Sequence, residues 1–201
     1  FHLMSKRIYA GLKLHVELFA RERGYEIDYV DPNEFAEEQF SETDAAEFFK
    51  TLNLKFEPRD YQVAAFVHGV RTKRAVLLSP TASGKSLIIY LLSRYYHSQG
   101  NRILVVVPTT SLVHQMASDF GDYSQLDPDK FCHKIFSGEE KETTKPFTIT
   151  TWQSIYKMPK EWFSQFKVVI GDEAHLFKAK SLTGIMDHMV DCPYRFGFTG
   201  T

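Results

Sequence analysis

Residues 79 to 86 read Ser-Pro-Thr-Ala-Ser-Gly-Lys-Ser, and a second polar cluster, Asp172, Glu173, Ala174 and His175, stands directly behind the apolar residues Val168, Val169 and Ile170. A turn ending in Gly84, Lys85 and Ser86 lets backbone N–H groups converge on phosphate oxygens, and the helix that follows adds its positive N-terminal end. Thr81, Ala82 and Ser83 complete the cradle. Lys85 has the reach for β- and γ-phosphates. The Ser86 hydroxyl suits Mg²⁺, with Asp172 holding the same ion from a second strand end. Glu173 is then placed to polarise a water. These residue types describe an ATPase using ATP and Mg²⁺, with Lys85, Asp172 and Glu173 as its catalytic groups.

The strict phosphate-loop pattern has Gly where this chain has Ser79, and a Gly-Lys-Ser tripeptide also opens ordinary helices by chance. Context decides between the two. The run follows Ala75, Val76, Leu77 and Leu78 and precedes Leu87, Ile88, Ile89, Leu91 and Leu92, which is the strand, loop and helix order the chemistry needs. An acidic pair behind a buried strand is on its own often a solvated strand end.

The elements that must position these groups follow from hydrophobic period and punctuation. Residues 5 to 23 read as a helix capped by Ser5, with a broad apolar face from Ile8, Leu12, Leu14, Val16, Leu18 and Phe19, and Gly24 ends it. Residues 26 to 30 alternate like a strand before Pro32. From Asp31 to Glu47 acids occur without bases, which marks a solvated linker and a short helix. These residues, 1 to 55, form a partial N-terminal accessory segment. From Phe56 to the end, helices at 59 to 70, 85 to 97, 111 to 120 and 181 to 190 alternate with strands at 74 to 78, 103 to 107, near 134 and 148, at 167 to 170 and at 195 to 198. Such alternation predicts an α/β domain with a mainly parallel sheet covered on both faces. Ligands in such sheets sit beyond the carboxyl ends of the strands, where both phosphate motifs fall.

Composition narrows the class. The 201 residues are 43% hydrophobic, enough for a real core, and no apolar run approaches the roughly 20 residues that span a bilayer. No membrane partner is expected, and the protein reads as cytoplasmic. Cys132 and Cys192 have no paired spacing, so neither a disulfide framework nor a zinc site is suggested. A formal net charge of −1 argues against gripping nucleic acid by bulk positive charge, so any such contact is local.

Four weaker pieces stand in order around the two strong ones: Arg59, Asp60, Tyr61 and Gln62; Pro108, Thr109 and Thr110 with Leu112 and Gln115; Thr150, Thr151, Trp152 and Gln153; and Thr199, Gly200 and Thr201. Over residues 56 to 201 that succession resembles the first RecA-like domain of superfamily-two DNA helicases. The resemblance implies that Gln62 reads the adenine edge, with Arg59 and Tyr61 shaping its pocket. A Gln amide donates and accepts at once, which suits that edge. It further implies that Pro108, Thr109 and Thr151 touch the nucleic-acid backbone, and that His175, Thr199 and Thr201 link the nucleotide end to the strand-gripping side. Thr110 reads as a helix cap, and Trp152 as packing under the sheet rather than stacking a base.

One departure is Ala82, where this superfamily commonly carries Gly. By the same resemblance the partner is DNA, branched or forked, the action belongs to recombination, repair or replication, and the chain is a monomer. It is also expected to be a fragment: a second RecA-like domain with arginine fingers would complete it, leaving the fragment weakly active. An RNA helicase, the motor subunit of a restriction system, and a module using ATP only as a switch remain as alternatives.

Overall fold

The computed structural model describes residues 10–29, 37–80, 83–124, 127–136, 140–175 and 180–200. The chain divides into two compact units, Phe1–Ala36 and Glu37–Thr201.

In the first unit a 3₁₀ turn, Ala10–Leu12, runs into helix α1, Lys13–Arg23. Gly24 closes α1 at φ 65°, the left-handed conformation that lets its N–H turn back onto the last carbonyls. The expected cap Ser5 lies outside the described residues, as does Pro32. The strand expected over 26 to 30 does not form: residues 25–29 carry no regular structure, and Val30 lies outside the described residues. Alternation alone cannot make a strand where no ladder partner is supplied.

The second unit starts with α2, Glu42–Lys50, opened by Ser41 and Asp44 in a reciprocal capping box. The sequence places this helix with the accessory segment. Its apolar side nevertheless packs on the core: Ala45 is fully buried, and the Phe48 and Phe49 rings lie 5.9 and 5.1 Å from that of Phe66.

The elements that follow are α3 Asp60–Thr72, β1 Arg74–Leu78, α4 Lys85–Ser98, β2 Ile103–Val107, α5 Thr110–Ser124, α6 Pro128–Phe131, β3 Cys132–Ile135, β4 Phe147–Thr151, α7 Trp152–Ile155, α8 Lys160–Phe163, β5 Val168–Gly171, α9 Lys180–His188 and β6 Tyr194–Thr199. The one-turn helices α6, α7 and α8 have no counterpart in the sequence reading, since four residues are too few to show a helical period.

The six strands form one sheet in the order β1-β6-β5-β2-β4-β3, and every pairing is parallel. Strand period splits the core in two. Ile103, Val105 and Val107 of β2 face α4 residues such as Leu87, Ile88 and Leu91, while Leu104 and Val106 face Trp162, Phe163 and Ile185. Helix α4 is buried from Leu87 to Ser93, so its near-continuous apolar run belongs to a helix wrapped by protein.

Register fixes which tips meet. Leu78 pairs with Thr199, Gly171 with Gly197, Val106 with Gly171, and Val107 with Thr151. The carboxyl ends of β1, β6, β5, β2 and β4 therefore stand in a row, each followed by one of the sequence motifs.

Candidate nucleotide and nucleic-acid site

The phosphate turn is braced from two sides. Ser79 N–H donates to the Thr199 carbonyl at 2.8 Å, which ties the start of the turn to β6, and the Ser79 and Ser83 hydroxyls are 2.5 Å apart. Thr81 and Ala82 lie outside the described residues. Gly84 opens α4 at φ 75°, and a Cβ there would come within 2.4 Å of Gln62 Nε2. Backbone freedom and close approach both require glycine at this point.

Gln62 is buried, and its amide is spent inside the protein: Oε1 accepts from Arg59 N–H at 2.9 Å, and Nε2 donates to the carbonyls of Ser83 at 3.1 Å and Gly84 at 3.3 Å. Tyr61 hydroxyl also donates to Ser83 O, at 2.8 Å, and accepts from Arg59 Nη1 at 3.1 Å. Tyr61 and Gln62 thus brace Ser83 and Gly84 of the phosphate turn, and Arg59 bonds to both Tyr61 and Gln62. Arg59 and Gln62 line a cleft of about 490 Å³ together with Phe56, Ser83, Gly84 and Tyr123.

The acidic tip comes to Lys85 by way of the sheet. Asp172 N–H donates to Val106 O at 2.9 Å, extending the β5–β2 ladder by one bond beyond β5. Glu173 then takes φ 55°, an uncommon left-handed conformation for a side-chain-bearing residue, with its N–H donating to Asp172 Oδ1 at 3.1 Å. This turn aims both carboxylates at the lysine: Lys85 Nζ lies 2.6 Å from Glu173 Oε1 and 3.5 Å from Asp172 Oδ1. Burial disfavours the ammonium charge, but the Glu173 hydrogen bond and the two carboxylate charges outweigh it and hold the Lys85 pKa above its ordinary value.

The turn after β5 is backed by Gly197 of β6, where a Cβ would stand 2.7 Å from that of Ala174. His175 is exposed, with Nδ1 3.2 Å from Thr199 Oγ1 and 3.3 Å from Glu173 Oε2. Two of the three residues named for coupling are therefore in contact; Thr201 lies outside the described residues.

Along the same edge, Pro108 and Thr109 follow β2 beside the end of β4. Thr109 Oγ1 is the acceptor for Leu112 N–H at 3.4 Å, so the hydroxyl at the start of α5 is that of Thr109 rather than of Thr110. Thr151 is buried, its hydroxyl 3.0 Å from that of Ser154. Trp152 packs against the cluster containing Ile155 and Trp162, as the packing reading expects.

The donor set suits magnesium. Among the described residues no group of three or more His, Cys, Asp and Glu is arranged to hold a metal. A divalent ion here would rely on the Ser86 hydroxyl, one carboxylate and the nucleotide's own phosphate oxygens, which is how Mg²⁺ is commonly held.

Tyr123 is the residue sequence reasoning missed. Its hydroxyl lies 2.6 Å from Ser86 Oγ, and its ring meets Phe56 edge-on at 6.5 Å. Burial raises the phenol's pKa, while the Ser86 hydrogen bond acts in the opposite direction. Only the packing of α5 on α4 brings it here, so no local signal marks it. Cys132 and Cys192 are buried free thiols at the amino ends of β3 and β6. Among the described residues no helix is long and apolar enough to cross a membrane.

The family described as "Type III restriction enzyme, res subunit" matches residues 55–201. The chain is 38% identical over 201 residues to "ATP-dependent DNA helicase uvsW" of Enterobacteria phage T4, covering 95% of this chain and 40% of that protein. It is 30% identical over 153 residues to "DNA 3'-5' translocase XPB2" of Sulfurisphaera tokodaii, covering 76% of this chain and 33% of that one. It thus spans well under half the length of either relative. The crystal structure of the UvsW helicase from bacteriophage T4 superposes with a TM-score of 0.86 at 36% identity, covering 95% of this chain and 71% of that chain. The chain belongs to the family of the type III restriction enzyme res subunit, as a RecA-like first domain of the superfamily-two helicase kind.

Proposed function

We propose that this chain is the nucleotide-binding part of an ATP-dependent DNA helicase or translocase. The observation that carries the reading is the meeting of Lys85, at the start of α4, with Glu173 and Asp172 at the tip of β5. When bound, Mg²⁺ would neutralise charge on the transferring phosphoryl group. The chain's own residues do the rest. The turn at Gly84 presents N–H groups to phosphate oxygens, and Lys85 exchanges its carboxylate partners for phosphate. Ser86 and Asp172 would hold the ion. Glu173, released from Lys85, orients the attacking water. Gln62, Arg59 and Tyr61 connect the base cleft to the phosphate turn.

DNA as the partner is supported by the names of the two relatives, a DNA helicase and a DNA translocase. Pro108, Thr109 and Thr151 stand on the β2 and β4 half of the row of strand tips, where N–H and hydroxyl groups position a backbone without reading sequence. His175 and Thr199, behind β5 and on β6, lie between the β1 tip and the β2 and β4 tips. We place the action on branched or forked DNA, in a monomer whose complete chain carries a second RecA-like domain. The test is ATPase activity of the complete protein with duplex DNA, forked DNA and RNA. Stimulation by forked DNA above duplex is expected; stimulation by RNA alone would overturn the assignment.

A second reading, the motor subunit of a restriction system, is favoured by the family description. A nuclease domain in the complete protein would decide for it.

A further inference from the structure

Tyr123 joins two places that the proposed function uses separately. Its ring helps to line the base cleft beside Phe56, its carbonyl accepts from Lys55 N–H at 2.9 Å, and its hydroxyl reaches the first turn of α4 at Ser86. The ring is also packed on Tyr90 with centroids 5.5 Å apart, so the ring that carries the hydroxyl is held by Tyr90 as well as Phe56.

A serine hydroxyl has one proton and two lone pairs. To coordinate a cation it must offer a lone pair and send its proton elsewhere, and a cation on the oxygen makes that proton a stronger donor. Asp172 Oδ1 already accepts from Glu173 N–H and stands 3.5 Å from Lys85 Nζ. The Tyr123 oxygen, 2.6 Å from Ser86 Oγ, is within reach to accept this hydrogen bond.

We propose that Tyr123 is a positioning residue for the divalent ion, accepting a hydrogen bond from the Ser86 hydroxyl so that the serine oxygen presents its lone pairs to Mg²⁺. The inference rests on the reading of Ser86 as a magnesium ligand. It assigns to Tyr123 a part in metal affinity and none in the grip on phosphate.

The test is calorimetric titration of a non-hydrolysable ATP analogue into the chain, first with EDTA and then across a MgCl₂ series. Tyr123→Phe keeps the ring and its packing. It is expected to raise the Mg²⁺ concentration for half-maximal tightening by about three- to tenfold, the range for one lost neutral hydrogen bond. Any loss of affinity in EDTA should be smaller than the loss in MgCl₂, because Phe keeps the ring that lines the cleft. In a Ser86→Ala background the same change should have no further effect on the Mg²⁺ response, because the shared group is gone. A Tyr123→Phe chain with wild-type Mg²⁺ response, or one weakened equally in EDTA, overturns the proposal. A wild-type chain whose affinity ignores Mg²⁺, or a Ser86→Ala chain that responds normally, removes the reading of Ser86 itself, a distinguishable failure.

Discussion

Lys85 and Glu173 are 88 positions apart in the chain and 2.6 Å apart in the fold. One opens the helix behind β1 and the other ends the turn behind β5, and β6 lies between those strands. The pair closes across that intervening strand because Gly197 leaves room for Ala174, and Glu173 accepts a left-handed backbone to face inward.

Lys85→Ala should abolish tight nucleotide binding while the fold persists, since Lys85 sits at a loop and helix junction outside the buried clusters. Charge-assisted hydrogen bonds contribute about 1.5–3 kcal/mol, so a loss of roughly ten- to a hundredfold or more in affinity is expected. Calorimetry with an ATP analogue measures it, and far-UV circular dichroism reports on the fold.

Glu173→Gln retains size and hydrogen bonding but not basicity. Nucleotide affinity should be little changed, and steady-state hydrolysis in the complete protein should fall by on the order of a hundredfold or more. Equal turnover in the two proteins would remove Glu173 from the reaction.

Gly84→Ala meets two obstacles, a φ of 75° and a Gln62 Nε2 only 2.4 Å from the new Cβ. Either the turn or Gln62 must shift. A destabilisation of about 1–3 kcal/mol is expected from the backbone alone, together with weaker nucleotide binding. A thermal melt and a nucleotide titration would show both.

Gly197→Ala puts a methyl 2.7 Å from Ala174 Cβ on the turn that carries Glu173. Its backbone φ is not in the left-handed region, so the effect comes from crowding, typically about 1–3 kcal/mol. Displacement of the acidic turn should lower hydrolysis more than nucleotide affinity, a split visible in kcat against KM.

Burial pushes the Cys192 thiol up to about 11 and that of Cys132 to about 12. Because both folded values lie above the unfolded one, near 8.5, the stability they contribute is complete below about pH 8 and is lost as pH rises through 11 to 12. At pH 8 the folded chain should resist a chromogenic disulfide reagent, whereas both thiols should react at once in denaturant. Rapid native labelling would contradict their burial.

The sequence by itself determined the parallel α/β pattern of the main unit. Strands 74 to 78 and 103 to 107 are found at those residues, and the two phosphate motifs fall at strand ends, because apolar period and glycine punctuation act locally. It failed at residues 25–29, where alternation has no ladder to join among the described residues; the short helix it expects in the acidic stretch is α2, whose acids face solvent while Phe48 and Phe49 turn to Phe66. Tertiary structure alone decided the rest. Strand order and register set which tips adjoin, so only the sheet could bring Lys85 to Glu173 and His175 to Thr199. The packing of α5 on α4 set Tyr123 against Ser86, and Gln62 proved to be spent on the phosphate turn, since a side chain's partners depend on elements distant in the chain.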